Sequence, residues 1–311
     1  MYAIIDIGSN TIRLVIYKAE NNSYTVLLNK KEMAALASYV HDNMMSGAGI
    51  DKACHALTTF KKIVNELNIS NVYAFATAAL RNVANSNQAV QEIEYRTGLK
   101  IDVISGRTEA TLDFIGIAGT AALKSGLMID IGGASTELVA YENMKIKQAV
   151  SLPLGSLSAY NKYTNHFFPN KDERKKISSK ILSLLEAEKQ INFAAEYQNI
   201  CGVGGTIRAA KKLYNQIFSL SPQNNTIQAK YINNIIKPFL SKKNKNHIDR
   251  SSLDTLLDIV PERIRTILPG TIILEALVEH FAAQNIFVSQ AGVREGYLSK
   301  IVLKEFDDIE V

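Results

Sequence analysis

The sequence predicts an α/β protein built from two copies of one domain, and three observations carry that expectation. A glycine-rich segment near the N-terminus recurs near the middle of the chain. Strand-like and helix-like patterns alternate between the two copies and after them. The 311 residues exceed what one hydrophobic core usually serves, so length alone suggests two domains.

The repeat aligns without a gap. Ile5-Asp6-Ile7-Gly8-Ser9-Asn10-Thr11-Ile12-Arg13-Leu14 matches Ile129-Asp130-Ile131-Gly132-Gly133-Ala134-Ser135-Thr136-Glu137-Leu138, with Thr11 facing Ser135 and Arg13 facing Glu137. Each copy reads as an apolar strand, a tight turn and a second strand, over 12–17 in the first copy and 136–141 in the second. One such turn is an ordinary hairpin. Two in register mark a duplication in which each half opens on the same element.

Between the copies, residues 50–67 form an amphipathic helix pattern, with Ala53, Leu57, Phe60, Ile63, Val64 and Leu67 on one face. A buried strand follows over 72–77, then a helix over 88–97. Residues 101–104 read as a strand that breaks at Ser105-Gly106, and 109–123 has helical periodicity. The second half holds a helix over 172–189, a strand over 199–203 and further helices. The domain boundary is placed after Lys124, giving domains over 1–124 and 125–296. The last segment reads as a helix over 297–306, and the tail 297–311 is expected to return to the first domain.

Composition excludes several classes. Apolar residues make up 47% and charged residues 21%, ordinary values for a soluble globular chain. No apolar run reaches the roughly 18 residues of a membrane span. Met1 runs straight into a strand pattern with no leader, so a cytoplasmic protein is expected. Cys54 and Cys201 are isolated thiols, read as small buried hydrophobes in a reducing compartment. His41, His55, His166, His247 and His280 lack metal spacing, and there is no Walker P-loop. The formal charge of +5 concentrates partly in Lys242-Lys243-Asn244-Lys245 and in 171–176. Such runs are usually solvated faces, and the other reading is a surface that attracts a polyanion. No aromatic residues interleave with them, so nucleic acid is not an expected partner.

The chemistry follows from the two turns. An aspartate at a strand end, then Gly-Ser-Asn or Gly-Gly-Ala-Ser, lets backbone N–H groups and hydroxyls point at phosphate oxygens. The candidates are Gly8, Ser9, Asn10 and Thr11 in the first copy, and Gly132, Gly133, Ala134, Ser135 and Thr136 in the second. Asp6 and Asp130 would stand too near phosphate without a cation between, which implies Mg²⁺. Arg81 is either a phosphate clamp, since guanidinium binds phosphate bidentately, or half of a surface ion pair.

Seven ordered boxes resemble the exopolyphosphatase/guanosine pentaphosphate phosphohydrolase family, a branch of the acetate kinase–sugar kinase–Hsp70–actin superfamily. They are the two loops, Ala76-Thr77-Ala78-Ala79-Leu80-Arg81 with Asn85, Ser105-Gly106-Arg107-Thr108-Glu109-Ala110, Ser151-Leu152-Pro153-Leu154-Gly155, Gly202-Val203-Gly204-Gly205-Thr206-Ile207-Arg208, and Gly292-Val293-Arg294-Glu295-Gly296. The resemblance implies two actin-like (ribonuclease H-like) domains with a cleft between them. It makes Glu109 the base that activates water and Glu137 a second catalytic carboxylate that also holds metal. From position alone, Glu109 reads rather as a first-turn helix glutamate, a reading the box sequence reverses, and alternation permits Glu137 to be a solvent-facing strand residue. Gly204, Gly205 and Thr206 become a third cradle, with Arg208 and Arg294 binding substrate.

The implied activity is Mg²⁺-dependent exopolyphosphatase, with K⁺ as an activator. Guanosine pentaphosphate hydrolysis and low-turnover binding of polyphosphate or an alarmone are the alternatives. A homodimer is implied by the same resemblance. Thr108, Thr111, Ser158, Arg265 and the run 30–34 depart from the family pattern, which bears on substrate preference more than on fold.

Overall fold

The computed structural model describes residues 1–20, 23–118, 124–188, 193, 196–239, 250–306 and 309. Lys242, Lys243, Lys245, His247 and the expected helical ends at 119–123 and 189 lie outside these described residues. The chain divides into two compact units, Met1–Gly106 and Arg107–Val311. The division therefore falls before the helix that the sequence expectation, with its boundary after Lys124, gave to the first half.

The first unit opens with an antiparallel meander, β1 (Tyr2–Ile7), β2 (Thr11–Glu20) and β3 (Ser23–Met33). A small ladder follows, β4 (Val40–His41) with β5 (Met44–Met45), then helix α1 (Gly47–Glu66). Strand β6 (Val72–Ala76), helices α2 (Ala78–Arg81) and α3 (Ser86–Thr97), and strand β7 (Ile101–Val103) complete it. The sheet order is β3-β2-β1-β6-β7, with β6 parallel to both β1 and β7. Alternation along β1 and β2 sends Ala3, Ile5, Ile7, Ile12, Leu14 and Ile16 to one face. They form one core with Ala53, Leu57, Phe60 and Val64 of α1, with Ile63 packed against it; Leu67, expected on the same face, instead caps the helix end and is 49% exposed. Ser46 caps that helix by accepting from the Gly49 N–H at 3.3 Å.

The second unit repeats the plan. After α4 (Gly106–Ala118) come β8 (Gly126–Ile131), β9 (Thr136–Glu142) and β10 (Lys145–Leu152). Helices α5 (Ser156–Tyr163) and α6 (Lys171–Ala187) lead to β11 (Asn199–Val203) and α7 (Gly204–Ile217). Then follow β12 (Thr226–Gln228), α8 (Ile232–Ile236), α9 (Arg250–Ile259), α10 (Ile267–His280), β13 (Asn285–Val288) and α11 (Val293–Tyr297). The sheet order β10-β9-β8-β11-β13-β12 reproduces the first sheet strand for strand and adds β12 at its edge. Two domains of the same actin-like plan are the result.

The two faces of this second sheet have different covers. Leu127, Ile129 and Ile131 join Ile177, Ile207 and Ile272 from α6, α7 and α10. Met128, Val139, Tyr141, Cys201 and Val203 meet Ala110, Phe114 and Ile117 of α4. By strand alternation Asp130 and Glu137 share that second face, under α4. The burial of α4 from Glu109 to Ile117 shows why it groups with this unit.

The tail departs from the expected helix over 297–306. It begins earlier, at Val293, where the Gly292 N–H donates to Glu295 Oε2 at 2.9 Å. It ends sooner, because a wider turn over Leu298–Val302 closes it and Lys304 takes a left-handed φ of 57°. Glycines seat it on α4: a Cβ on Gly296 would stand 1.8 Å from the Leu112 carbonyl oxygen, and one on Gly116 2.1 Å from that of Gly292.

Candidate functional site

The two repeat turns are held by the same device. In the first unit the Gly8 N–H donates to the Thr11 carbonyl at 3.1 Å. The carbonyls of Ser9 and Asn10 accept from Ala37 (3.1 Å) and Ala35 (2.9 Å). In the second, the Gly132 N–H donates to the Ser135 carbonyl at 3.0 Å. The Gly132 carbonyl accepts from the Ser156 N–H (2.9 Å) and hydroxyl (3.0 Å), and that of Gly133 from Leu157 and Ser158 at 2.8 and 2.9 Å. The opening N–H groups of α5, which a helix leaves without internal partners, are thus spent on loop carbonyls. A trans peptide points its N–H opposite its C=O. The N–H groups of Asn10, Thr11, Gly133 and Ala134 therefore point away from the segments that grip their carbonyls, as an anion cradle requires. Gly155 presses on the second loop, where a Cβ would meet the Ala134 nitrogen at 2.7 Å.

Not every expected hydroxyl is available. Thr136 donates to the Leu154 carbonyl at 2.6 Å and acts as a brace. Ser158, one of the departures, accepts from the Gly155 N–H at 2.9 Å and caps α5.

The carboxylates gather in the second unit. Glu109 enters from the first turn of α4, and Asp130 and Glu137 are direct cross-strand partners on β8 and β9. Exposure is 9% for Glu109 and 1% for Glu137, so the solvent-facing reading of Glu137 is excluded. Burial first, then the charges of Glu109 and Asp130, push the Glu137 carboxyl well above its usual range, while Ser151 and Ser135 hold it down. The Ser151 hydroxyl donates to Glu137 Oε1 at 2.7 Å. Directly opposed like charges are unfavourable in a sheet. The first unit shows the contrast, since there Asp6 stands opposite Arg13. Only the second pair is two acids, and it fits a cation. Among the described residues no three Asp, Glu, His or Cys side chains form a metal cage. A pair of carboxylates leaving other positions to water and phosphate is how Mg²⁺ is usually held.

The third cradle lies against this pair. Gly204 has a left-handed φ of 82°, and a Cβ there would fall 1.8 Å from Asp130 Oδ1. Only glycine permits that approach. A Cβ on Gly205 would stand 2.0 Å from Arg263 Nη2, so a guanidinium lies over the loop. Thr206 reaches Ser156 at 3.5 Å, tying the third cradle to the second. Arg208 donates from Nη1 to the carbonyls of Ser289 and Gln290, both at 3.2 Å, and so braces the approach to Arg294. Burial, then the neighbouring Arg294, depresses the Arg208 guanidinium, which Asp130 and Glu295 partly offset. In the first unit Arg81 donates to the Ile104 carbonyl at 3.1 Å and to Asn82 at 3.3 Å.

Sequence reasoning missed Arg263, two positions before the flagged Arg265. It also missed the positioning hydroxyls of Ser151, which opens a recognised box but was given no role there, and of Ser156, which directly follows that box.

Comparison with known proteins places these features in context. The model of the Ppx/GppA phosphatase family matches residues 15–305. A bifunctional 3-dehydroquinate synthase/phosphatase of Fusobacterium nucleatum is 29% identical over 93% of this chain and 44% of its own length. A guanosine-5'-triphosphate,3'-diphosphate pyrophosphatase of Pseudoalteromonas atlantica is 28% identical over 96% of this chain and 58% of its own. The chain thus spans about half the length of these two relatives. The crystal structure of an exopolyphosphatase from Cytophaga hutchinsonii superposes with a TM-score of 0.82, at 21% identity, over 98% of each chain. Among the described residues no helix is long and apolar enough to cross a membrane.

Proposed function

The chain belongs to the Ppx/GppA phosphatase family, and from that premise we propose that it is a phosphoanhydride hydrolase acting as an exopolyphosphatase. The observation that carries this reading is the grouping, in one unit, of Glu109, Asp130 and Glu137 beside two glycine cradles and the guanidinium of Arg263. Donors for phosphate oxygens, a carboxylate for water and a carboxylate pair for a cation are what phosphoryl transfer to water needs.

In this reading Asp130 and Glu137 hold Mg²⁺, which supplies neutralisation of the phosphoryl charge when bound. The cradles at Gly132–Ser135 and Gly204–Thr206 orient the terminal phosphates, and Arg263 and Arg294 grip them further along. Glu109 takes a proton from water as the water oxygen bonds to the terminal phosphorus. The bridging P–O bond breaks, and the shortened chain leaves with its electron pair. K⁺ is proposed as an activator, the cytoplasm as the location, and a homodimer as the working form without nucleic acid.

The second reading is hydrolysis of guanosine pentaphosphate, supported by the name of the Pseudoalteromonas relative. Phosphate release decides between them. Purified protein with Mg²⁺ and K⁺ is given long-chain polyphosphate or guanosine pentaphosphate, and the faster substrate names the function. EDTA should abolish release. No release from either substrate would refute both readings.

A further inference from the structure

One rung of the second sheet carries the carboxylate pair and a third residue beside it. Asp130 of β8 pairs with Glu137 of β9, and Glu137 pairs in turn with Ser151 of β10. Directly paired residues on antiparallel strands share a face. Glu137 thus stands between Asp130 on one side and Ser151 on the other. The equivalent rung of the first sheet runs Asp6, Arg13 and Lys31, so the acid and the hydroxyl of the second sheet both replace cations. The Ser151 hydroxyl donates to Glu137 Oε1 at 2.7 Å. Ser135 donates to the same carboxylate from the loop, but that hydroxyl is also a candidate ligand for phosphate. Ser151 belongs to a strand, outside the loop, and its bond is made to the carboxylate alone.

That bond makes the two oxygens of Glu137 unequal. Oε1 shares its charge with a hydroxyl, and Oε2 is left as the better ligand for a cation. Divalent cations differ in what they ask of a carboxylate. Ca²⁺ accepts one through a single oxygen or through both, in a loose and variable shell. Mg²⁺ demands a near-ideal octahedron, keeps several waters and takes one or two carboxylates. We propose that Ser151 is a positioning residue that holds Glu137 as a one-oxygen ligand and so sets the centre for Mg²⁺ against Ca²⁺. A hydrogen-bond partner of this kind orients a ligand without touching the metal. Alanine at this position would free Oε1, let the carboxylate bind through both oxygens and admit the larger ion. The proposal rests on the reading of Asp130 and Glu137 as cation ligands, and its test separates the two.

The probe is Mn²⁺, which favours oxygen ligands and octahedral geometry as Mg²⁺ does, and whose free ion gives an electron paramagnetic resonance signal that is lost on binding. Mn²⁺ alone is titrated into the full chain as wild type, Ser151→Ala, Ser151→Thr and Glu137→Gln, and is then displaced with Mg²⁺ or Ca²⁺. Wild type should release Mn²⁺ to Mg²⁺ at a lower concentration than to Ca²⁺. Ser151→Ala should reduce that preference about tenfold, chiefly through weaker binding of Mg²⁺. Ser151→Thr keeps the hydroxyl on a residue suited to a strand and should restore it. A change that only loosened the sheet would weaken both ions alike and leave the ratio where it was. An unchanged ratio in Ser151→Ala, a ratio equally lost in Ser151→Thr, or a wild type that yields to Ca²⁺ first would overturn the proposal while the carboxylate pair stands as a cation site. Mn²⁺ bound by Glu137→Gln as tightly as by wild type would overturn both. If Ser151→Ala does not fold, Ser151→Cys, similar in shape but a weak donor, makes the same comparison.

Discussion

Glu137 is a buried acid whose charge is opposed by burial and by two neighbouring carboxylates. Its folded-state proton affinity is raised above the ordinary value of 4.5. Such a group contributes stability that is fully present below its unfolded value and is lost as pH rises toward its folded one. Metal-free protein should therefore lose stability from about pH 4.5 upward. Glu137→Gln should flatten that slope and raise the metal-free Tm at pH 8 by about 2–6 °C, while abolishing the further stabilisation that Mg²⁺ gives the wild type. Thermal melts with EDTA or Mg²⁺ check this, and a less stable metal-free variant would contradict it. Arg263 makes a different case, since its guanidinium lies over the Gly205 backbone. Arg263→Ala should raise KM for polyphosphate about tenfold, the loss expected for one charge-assisted hydrogen bond, with kcat less affected. An unchanged KM would remove Arg263 from the site.

Turns and strands were legible because their signals are local. The repeat 5–14 and 129–138 predicted both loops, and β11 was expected over 199–203 and found as Asn199–Val203. Helix α1 was expected over 50–67 and runs Gly47–Glu66. The amphipathic stripe fixed its face, while the Ser46 cap that sets its start was not read. What the sequence hid is what depends on packing between distant segments. The α4–α11 seam arises from Gly116, Gly292 and Gly296, far apart in the chain, and α4 is buried on all sides, so it shows no stripe. Gly116→Ala should cost about 2–3 kcal/mol of stability through overpacking, because its Cβ would lie 2.1 Å from the Gly292 oxygen. Urea unfolding measures it, and a loss below about 0.5 kcal/mol would mean that the seam yields.

At the scale of the whole molecule, one sheet plan is used twice and then specialised. Both copies keep the glycine turn and its gripped carbonyls. Across from the strand aspartate, one has an arginine and the other a glutamate. In the proposed reading that difference gives the second unit, beside Glu109 of α4, its place for a cation. The departures Thr111 and Ser158 do not disturb this division, since one is buried in α4 and the other caps α5. With a net charge of +5, binding of a long polyanion should weaken as salt rises, more steeply for long-chain polyphosphate than for short. The measurement to make before the others compares wild type with Glu109→Gln for phosphate release from long-chain polyphosphate and guanosine pentaphosphate, with equilibrium binding of each substrate followed in parallel. Loss of turnover by about 10²–10⁴-fold with binding retained is the expected result. A variant that binds and hydrolyses within a few-fold of wild type would show that Glu109 is not the base and that the acid group in the second unit serves another purpose.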